Sequence, residues 1–329
     1  MTRSFEADTF DELFIEVVKD IYLDAEYECR PRGQVVKELI APTLVLTNPR
    51  ARILANKERA ADYGFGVGEF LWYWAGRQDL ASILYYNKRM KDFSDNGTTL
   101  NSAYGYRVKT ESTVVYYPDL SSADYVSQWL ACKNELMRDK DSRRAILIIN
   151  RAEDNVIAAT VGSKDVPCTL SLQFFIRNNK LYLHTSMRSN DAFWGLTYDL
   201  FSFTLLQECL MLELNEAGMN LTLGSYSHTA GSLHIYDRHF DQASVIVENY
   251  LRRGSIPAAP MLPISLEELA SLADQEVALR TGKVAEIGET QFSSGVRWMA
   301  ECLNKHRRKR DGEREQSLGS CDGNRSQVI

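Results

Sequence analysis

The chain has 329 residues, of which 44% are hydrophobic and 25% charged, and a formal net charge of −6. That suffices for one large domain or two small ones around a substantial core. The negative balance argues against a broad electrostatic footprint for nucleic acid, so any anionic ligand needs a local cluster of arginines.

In chain order, residues 9–27 have helical periodicity, with Phe10, Leu13, Phe14, Val17, Val18, Ile21 and Tyr22 on one face. Past Pro31-Arg32-Gly33, the β-branched stretch 35–47 predicts a strand. Residues 66–76 read as a helix carrying Glu69-Phe-Leu-Trp72-Tyr-Trp74, and Ser94-Asp-Asn-Gly97 as a loop. Ser121-Ser-Ala-Asp124 can cap a helix reaching about residue 139. Stretches 145–150, 169–176 and 181–187 are strand-like, and Arg177-Asn-Asn-Lys180 predicts a hairpin between the last two. Residues 192–216 predict a long apolar central helix. Stretches 221–236 and 243–250 complete a β-rich region, and amphipathic helices fill 264–281 and 291–304. Lys305-His-Arg-Arg-Lys-Arg310 opens a polar tail that reads as disordered. The sum is one α+β domain over 1–304, a mixed β-sheet packed with a long central helix and surrounding helices, and a tail over 305–329.

Cysteines 29, 132, 168, 209, 302 and 321 form no CxxC pair, the first residues hold no apolar signal core, and no run approaches 18 apolar residues. These features predict a reduced, cytoplasmic protein with no membrane partner. Five histidines without HxxxH or HxH spacing predict no metal.

Cys168 heads an apolar strand, and some twenty residues later comes Met187-Arg-Ser-Asn-Asp191. A thiol beside a guanidinium suits a thiolate nucleophile acting on a charged substrate. Alone, though, a cysteine in a buried strand is usually a small hydrophobe. Asp199 stands in the apolar run Gly195-Leu-Thr-Tyr-Asp-Leu-Phe and needs a partner or a ligand, because an isolated buried charge costs several kcal/mol or shifts its pKa. Glu69 sits in similar aromatic company. Gly64-Phe-Gly-Val-Gly68 lacks the spacing and the preceding strand of a nucleotide loop. Arg143 and Arg144 open an apolar strand; they are either solvated or fork donors for a phosphate. His234 and Tyr236 share one face of a strand and suit sugar hydroxyls or a core pair.

Taken in order, Gly68-Glu-Phe-Leu-Trp-Tyr-Trp74, Leu100-Asn-Ser-Ala-Tyr-Gly105, Asp141-Ser-Arg-Arg144, Pro167-Cys168, Gln173, Arg188-Ser-Asn-Asp191 with Gly195, and His234-Ile-Tyr236 resemble the thymidylate synthase superfamily. The resemblance spans about residues 30–245 and implies a thymidylate synthase-like fold. Asp199 stands where thymidylate synthases carry asparagine, and Thr169 where a histidine follows their cysteine. On these and the Met-Arg-Ser-Asn-Asp and Gly-Ser-Leu-His-x-Tyr-x-Arg-His-Phe segments, the chain looks like the cytidylate (CMP and dCMP) hydroxymethylases.

The resemblance implies that Cys168 adds to C6 of the pyrimidine, with Arg188 lowering its pKa and holding phosphate. It implies that Asp199 stabilises the change at N3 and the amino group, while Glu69, supported by Tyr104, positions the water that gives a hydroxymethyl product. The co-substrate implied is 5,10-methylenetetrahydrofolate, contacted by Asp191, Gly195 and Trp72, with no metal. Arg32 or Arg30, with Arg32 preferred, would join Arg188 and Ser189 at the phosphate. Gln173, Asn190 and Asp191 would contact the nucleotide, and His234 and Tyr236 its ribose. A homodimer is implied, with Arg143 and Arg144 serving the partner's site. The resemblance leaves open C5 methylation of dUMP or dCMP, and an inactive nucleotide-binding homologue. Ribose is preferred over deoxyribose on the extra C-terminal helices.

Overall fold

A computed structural model describes residues 3–116 and 123–322. Its helices are α1 (Phe10–Asp24), α2 (Tyr63–Trp74), α3 (Leu80–Leu84), α4 (Gln128–Arg138), α5 (Ala152–Val161), α6 (Gly195–Glu216), α7 (Phe240–Arg253), α8 (Leu266–Arg280) and α9 (Val296–Asp322). None among the described residues is long and apolar enough to cross a membrane.

The strands are β1 (Ser4–Ala7), β2 (Tyr27–Cys29), β3 (Val36–Ile40), β4 (Thr43–Leu46), β5 (Ser112–Tyr116), β6 (Ala123–Ser127), β7 (Ile146–Ile148), β8 (Thr169–Arg177), β9 (Lys180–Met187), β10 (Asn190–Asp191), β11 (Thr222–Ala230) and β12 (Ser232–Tyr236). They form a six-stranded mixed sheet in the order β1-β4-β11-β9-β8-β7, a four-stranded sheet β10-β12-β3-β2, and the ribbon β5-β6. The β8–β9 hairpin closes on two residues, Asn178 and Asn179, both left-handed at φ 50° and 56°. That turn matches the twist of the strands, and asparagine tolerates it.

The central helix α6 is buried on nearly every side, which explains its lack of a polar stripe. Most of its polar residues are hydrogen-bonded; the buried Ser202 hydroxyl has no partner among the described residues. Gln207 donates to the Leu181 and Gly224 carbonyls, where a bulge interrupts the β9–β11 ladder. Glu208 accepts from Arg52 (2.5 Å) and Arg50 (2.9 Å), tying the 49–54 loop to the core. Both Glu208 and Arg52 are fully buried, and breaking such a pair on one side costs about 3–5 kcal/mol.

Four expectations are corrected. Stretch 35–47 is two strands in two different sheets, because Ala41 turns left-handed (φ 51°) ahead of Pro42. Stretch 243–250 lies in α7: its β-branched run suggested a strand, but Ala243, Ile246 and Val247 are buried at helical spacing. Helix α4 starts at Gln128 under a Ser127 cap, after strand β6, while Ser121 and Ser122 lie outside the described residues. Lys305–Arg310, expected to open a disordered tail, is part of α9, with His306 buried. Sequence periodicity also missed α5 and the short strands β1 and β2.

Candidate active site

A cavity of about 510 Å³ opens where the two larger sheets meet α2 and α6. Its size suits a nucleotide with a second ring system. Of the residues singled out from the sequence, Arg32, Glu69, Trp72, Tyr104, Cys168, Arg188, Ser189, Asn190, Asp191, Gly195, Asp199, His234 and Tyr236 line it. Arg143, Arg144 and Gln173 do not. Arg144 pairs with Glu135 (3.0 Å), and the Gln173 amide donates to the Arg143 carbonyl. Gln173, expected to contact the nucleotide, does not line its own chain's cavity. Between the two loop arginines, Arg32 reaches the cavity; it occupies a left-handed turn, φ 52°.

Cys168 precedes β8, and its carbonyl accepts from Arg188 N–H (2.9 Å). The Arg188 guanidinium bonds the Pro167 carbonyl (3.0 Å), the Val166 carbonyl (3.3 Å) and the Ser189 hydroxyl (3.3 Å). The Ser189 hydroxyl in turn donates to Cys168 Sγ at 3.9 Å. Burial pushes the thiol above its ordinary value, and the positive charges of Arg188 and Arg32 only partly oppose this. The expected lowering by Arg188 exists as a contribution, but desolvation outweighs it. Across the cavity, Tyr104 accepts from Thr169 N–H (3.4 Å) and stacks on Tyr73, ring centres 5.4 Å apart. Asp165 accepts from Asn101 and Ser102 backbone N–H groups, fastening the Tyr104 segment to the chain that leads to Cys168.

Two carboxyls share the site. Asn190 donates to Asp199 Oδ2 (2.7 Å), and Asp199 Oδ1 has no hydrogen-bond partner among the described residues. Burial raises the Asp199 pKa to about 7, with the Asn190 bond opposing. Burial also raises Glu69 to about 8, with the charge of Asp199 adding to the rise and a hydrogen bond from Tyr73 opposing it. Two neighbouring acids of this kind hold a proton between them near neutral pH.

At the sugar-sized corner, burial holds His234 below its ordinary value; its ring meets Tyr236 edge-on at 4.9 Å. The Arg238 guanidinium lies 3.9 Å over the Tyr236 ring, donates to Gln34 and pairs with Asp191 at 3.7 Å. At the mouth, Trp194 stands between Phe65 and Phe93, with Arg89 5.0 Å over its face and Lys164 also on the wall. A half-exposed aromatic face flanked by cations fits a flat heteroaromatic ring with a carboxylate tail. Sequence reading missed Tyr73, Trp194, Arg89 and Arg238. Tyr73 lies one helical turn after Glu69, and Arg238 continues the alternation of His234 and Tyr236, so both carried a readable signal.

A nucleophile-sized thiol, two acids and several guanidinium groups thus converge in one cavity of an α+β fold. The family model described as thymidylate synthase matches residues 14–281, and the chain belongs to that family. It is similar to the deoxyuridylate hydroxymethyltransferase of Bacillus phage SP01, 32% identical over 231 residues, covering 68% of this chain and 56% of the relative. It is also similar to the deoxycytidylate 5-hydroxymethyltransferase of Enterobacteria phage T4, 32% identical over 143 residues, covering 43% and 53%. The chain thus spans about half the length of these relatives. Among solved structures, a thermostable thymidylate synthase A from Bacillus subtilis shares the fold with a TM-score of 0.58 and 20% identity, over 73% of this chain and 84% of that one.

The acid pair has a measurable signature. Glu69 binds its proton more tightly folded, at about 8, than at its ordinary value of 4.5. Its contribution to stability is therefore complete below about pH 4.5 and is lost as pH rises through about 8. Glu69→Gln removes that loss. In denaturant unfolding the variant gains on the wild type as pH rises across this window, by up to about 4 kcal/mol at its upper end. A pH-independent difference would contradict a buried, protonated Glu69.

Proposed function

We propose that this protein transfers a hydroxymethyl group to C5 of a cytidine monophosphate, with 5,10-methylenetetrahydrofolate as co-substrate. The carrying observation is Asp199, with one oxygen held by Asn190 and the other open to the cavity. Cytosine offers an acceptor at N3 and a donor at the C4 amino group; uracil offers the reverse. A neutral carboxyl can serve either base by placing its proton on one oxygen or the other. An ionised one makes one bond with either base and opposes the other acceptor, N3 of cytosine or O4 of uracil, a buried mismatch of about 1–3 kcal/mol. The bases differ in that cytosine N3 is basic enough to take the carboxyl's proton, which leaves a doubly hydrogen-bonded ion pair, whereas uracil N3 already carries a proton and O4 is far less basic. With its pKa near 7, Asp199 is also an acid matched to donating a proton toward N3 when a nucleophile adds at C6.

Cys168 is the group to make that addition. Its thiol must lose its proton first, and its raised pKa makes the approach of positive charge part of catalysis. Arg32 and Arg188 would hold the phosphate beside it, and His234 and Tyr236 the sugar. The folate supplies a one-carbon unit at the methylene level and would rest against Trp194, with Arg89 and Lys164 toward its carboxylates. Glu69, bonded to Tyr73, would position the water that completes the hydroxymethyl group and move protons at that step.

The preference for CMP drawn from the C-terminal helices has no support in the site, since none of the described residues of α8 or α9 lines the cavity. The deoxynucleotide is the better reading, because the phage hydroxymethyltransferases named above both bear deoxynucleotide names. A second reading, hydroxymethylation of deoxyuridylate, is favoured by the SP01 relative and by another from Pseudomonas phage M6, 26% identical over 209 residues. We further propose a homodimer. One face of the six-stranded sheet carries half-buried Phe175, Tyr182, His184 and Ser227, and Arg143 and Arg144 lie outside their own chain's cavity.

Incubated with tritium-labelled dCMP and methylenetetrahydrofolate, the protein should release tritium from C5 and yield 5-hydroxymethyl-dCMP with tetrahydrofolate. Cys168→Ala should abolish release. A methylated base with dihydrofolate, or release that survives Cys168→Ala, would contradict the proposal. The dimer makes a separate prediction. Cys168→Ala and the double variant Arg143→Ala/Arg144→Ala should each be inactive. Their equimolar mixture should recover roughly a quarter of wild-type activity, since half the dimers are mixed and each has one intact site. No recovery after subunit exchange would exclude arginines shared across the interface.

A further inference from the structure

Helix α9 lies beyond the stretch matched by the family model, and none of its described residues lines the cavity. It nevertheless braces both helices that carry the acids. Trp298 meets Tyr63, the first residue of α2, edge-on at 5.2 Å, and Phe201 of α6 at 6.0 Å, two positions from Asp199. Two turns further on, His306 is buried against the start of α2, its Nδ1 3.4 Å from Asp62 Oδ2 and its ring 5.2 Å from that of Tyr86. Asp62 caps α2 by accepting from Phe65 N–H (3.2 Å), and its own N–H donates to the hydroxyl of Tyr198, the neighbour of Asp199.

The sequence of α2 makes this brace necessary. Three glycines, at 64, 66 and 68, fall in its first six residues, and each disfavours helix by about 1 kcal/mol relative to alanine. At Gly64 the two helices are close: a Cβ there would overlap the His306 side chain. The same glycines that weaken the helix admit the element that orders it. The basic stretch 305–310 takes part, since Arg310 lies 4.1 Å over the Tyr85 ring and Arg307 bonds the Leu279 carbonyl.

We propose that His306 is a positioning residue: through Asp62 and the start of α2 it sets the place of Glu69 relative to Asp199. Its catalytic consequence rests on the function proposed above; the packing does not. A displacement of about 1 Å in a group that must meet a reacting atom costs on the order of 10²-fold in rate.

His306→Ala should lower kcat for C5 tritium release at least about tenfold while nucleotide affinity, measured by calorimetry, stays within about twofold. Gly64→Ala, which expels the ring without altering its chemistry, should do the same. His306→Gln, which keeps a polar N–H within reach of Asp62, should restore most of the rate. Amide exchange should quicken in residues 63–74 and remain unchanged in α1. Folded variants with unaltered kcat and unaltered α2 exchange would overturn the proposal. So would faster exchange in every helix alike, which would make His306 ordinary packing. Should the wild type release tritium from no pyrimidine nucleotide, the functional reading fails, and the α2 exchange pattern alone still decides the brace.

Discussion

Two carboxyl groups removed from water in one cavity are the constraint around which this molecule is arranged. Glu69 and Asp199 sit on different helices; burial raises both, and the charge of Asp199 raises Glu69 further. The fold answers with few hydrogen bonds: one from Asn190 to Asp199 and one from Tyr73 to Glu69. Leaving the pair under-satisfied keeps a proton available near neutral pH and leaves an oxygen of Asp199 for a ligand. A fully bonded carboxylate would be more stable and chemically idle.

The thiol follows the same logic. Cys168 lies near two guanidinium groups, yet burial keeps it protonated in the ligand-free protein. The Arg188 side chain is meanwhile engaged with the carbonyls of Val166 and Pro167 and with Ser189. Those bonds fix the guanidinium over the segment that delivers the thiol, a preorganised arrangement of the kind that stabilises charge as it develops. Holding the acids in register then falls to packing outside the cavity. Helix α9 touches the start of α2 and the middle of α6, so elements that contact no substrate still bear on the chemistry.

Much of this was legible in the chain. Asp199 stood out as a carboxylate in an apolar helix, Glu69 as one among aromatics, and the Asn-Asn turn of the β8–β9 hairpin followed from backbone chemistry. What resisted reading has physical causes. The Val-Ile-Val run of α7 carries strand propensity on a helical burial pattern, and tertiary packing decided between them. The charged stretch of α9 resembled a solvated tail because its contacts, Arg310 on Tyr85 and His306 on Gly64, join positions more than 200 residues apart. The Asp165 clasp on Asn101 and Ser102 is likewise invisible to local pattern. Gln173 and Arg143 could not be placed from spacing, since strand register alone sets which face they occupy.

The central claim is that the Asp199 carboxyl selects the base, and the ratio of kcat/KM for dCMP to that for dUMP tests it most directly in wild type and Asp199→Asn. The wild type should favour dCMP, and less so as pH rises past about 7 and Asp199 loses the proton it gives to cytosine N3. In Asp199→Asn the ratio should fall by roughly 10²-fold, and its dependence on pH should disappear. A ratio that is the same in both proteins, or a wild type that prefers dUMP throughout, would contradict the account.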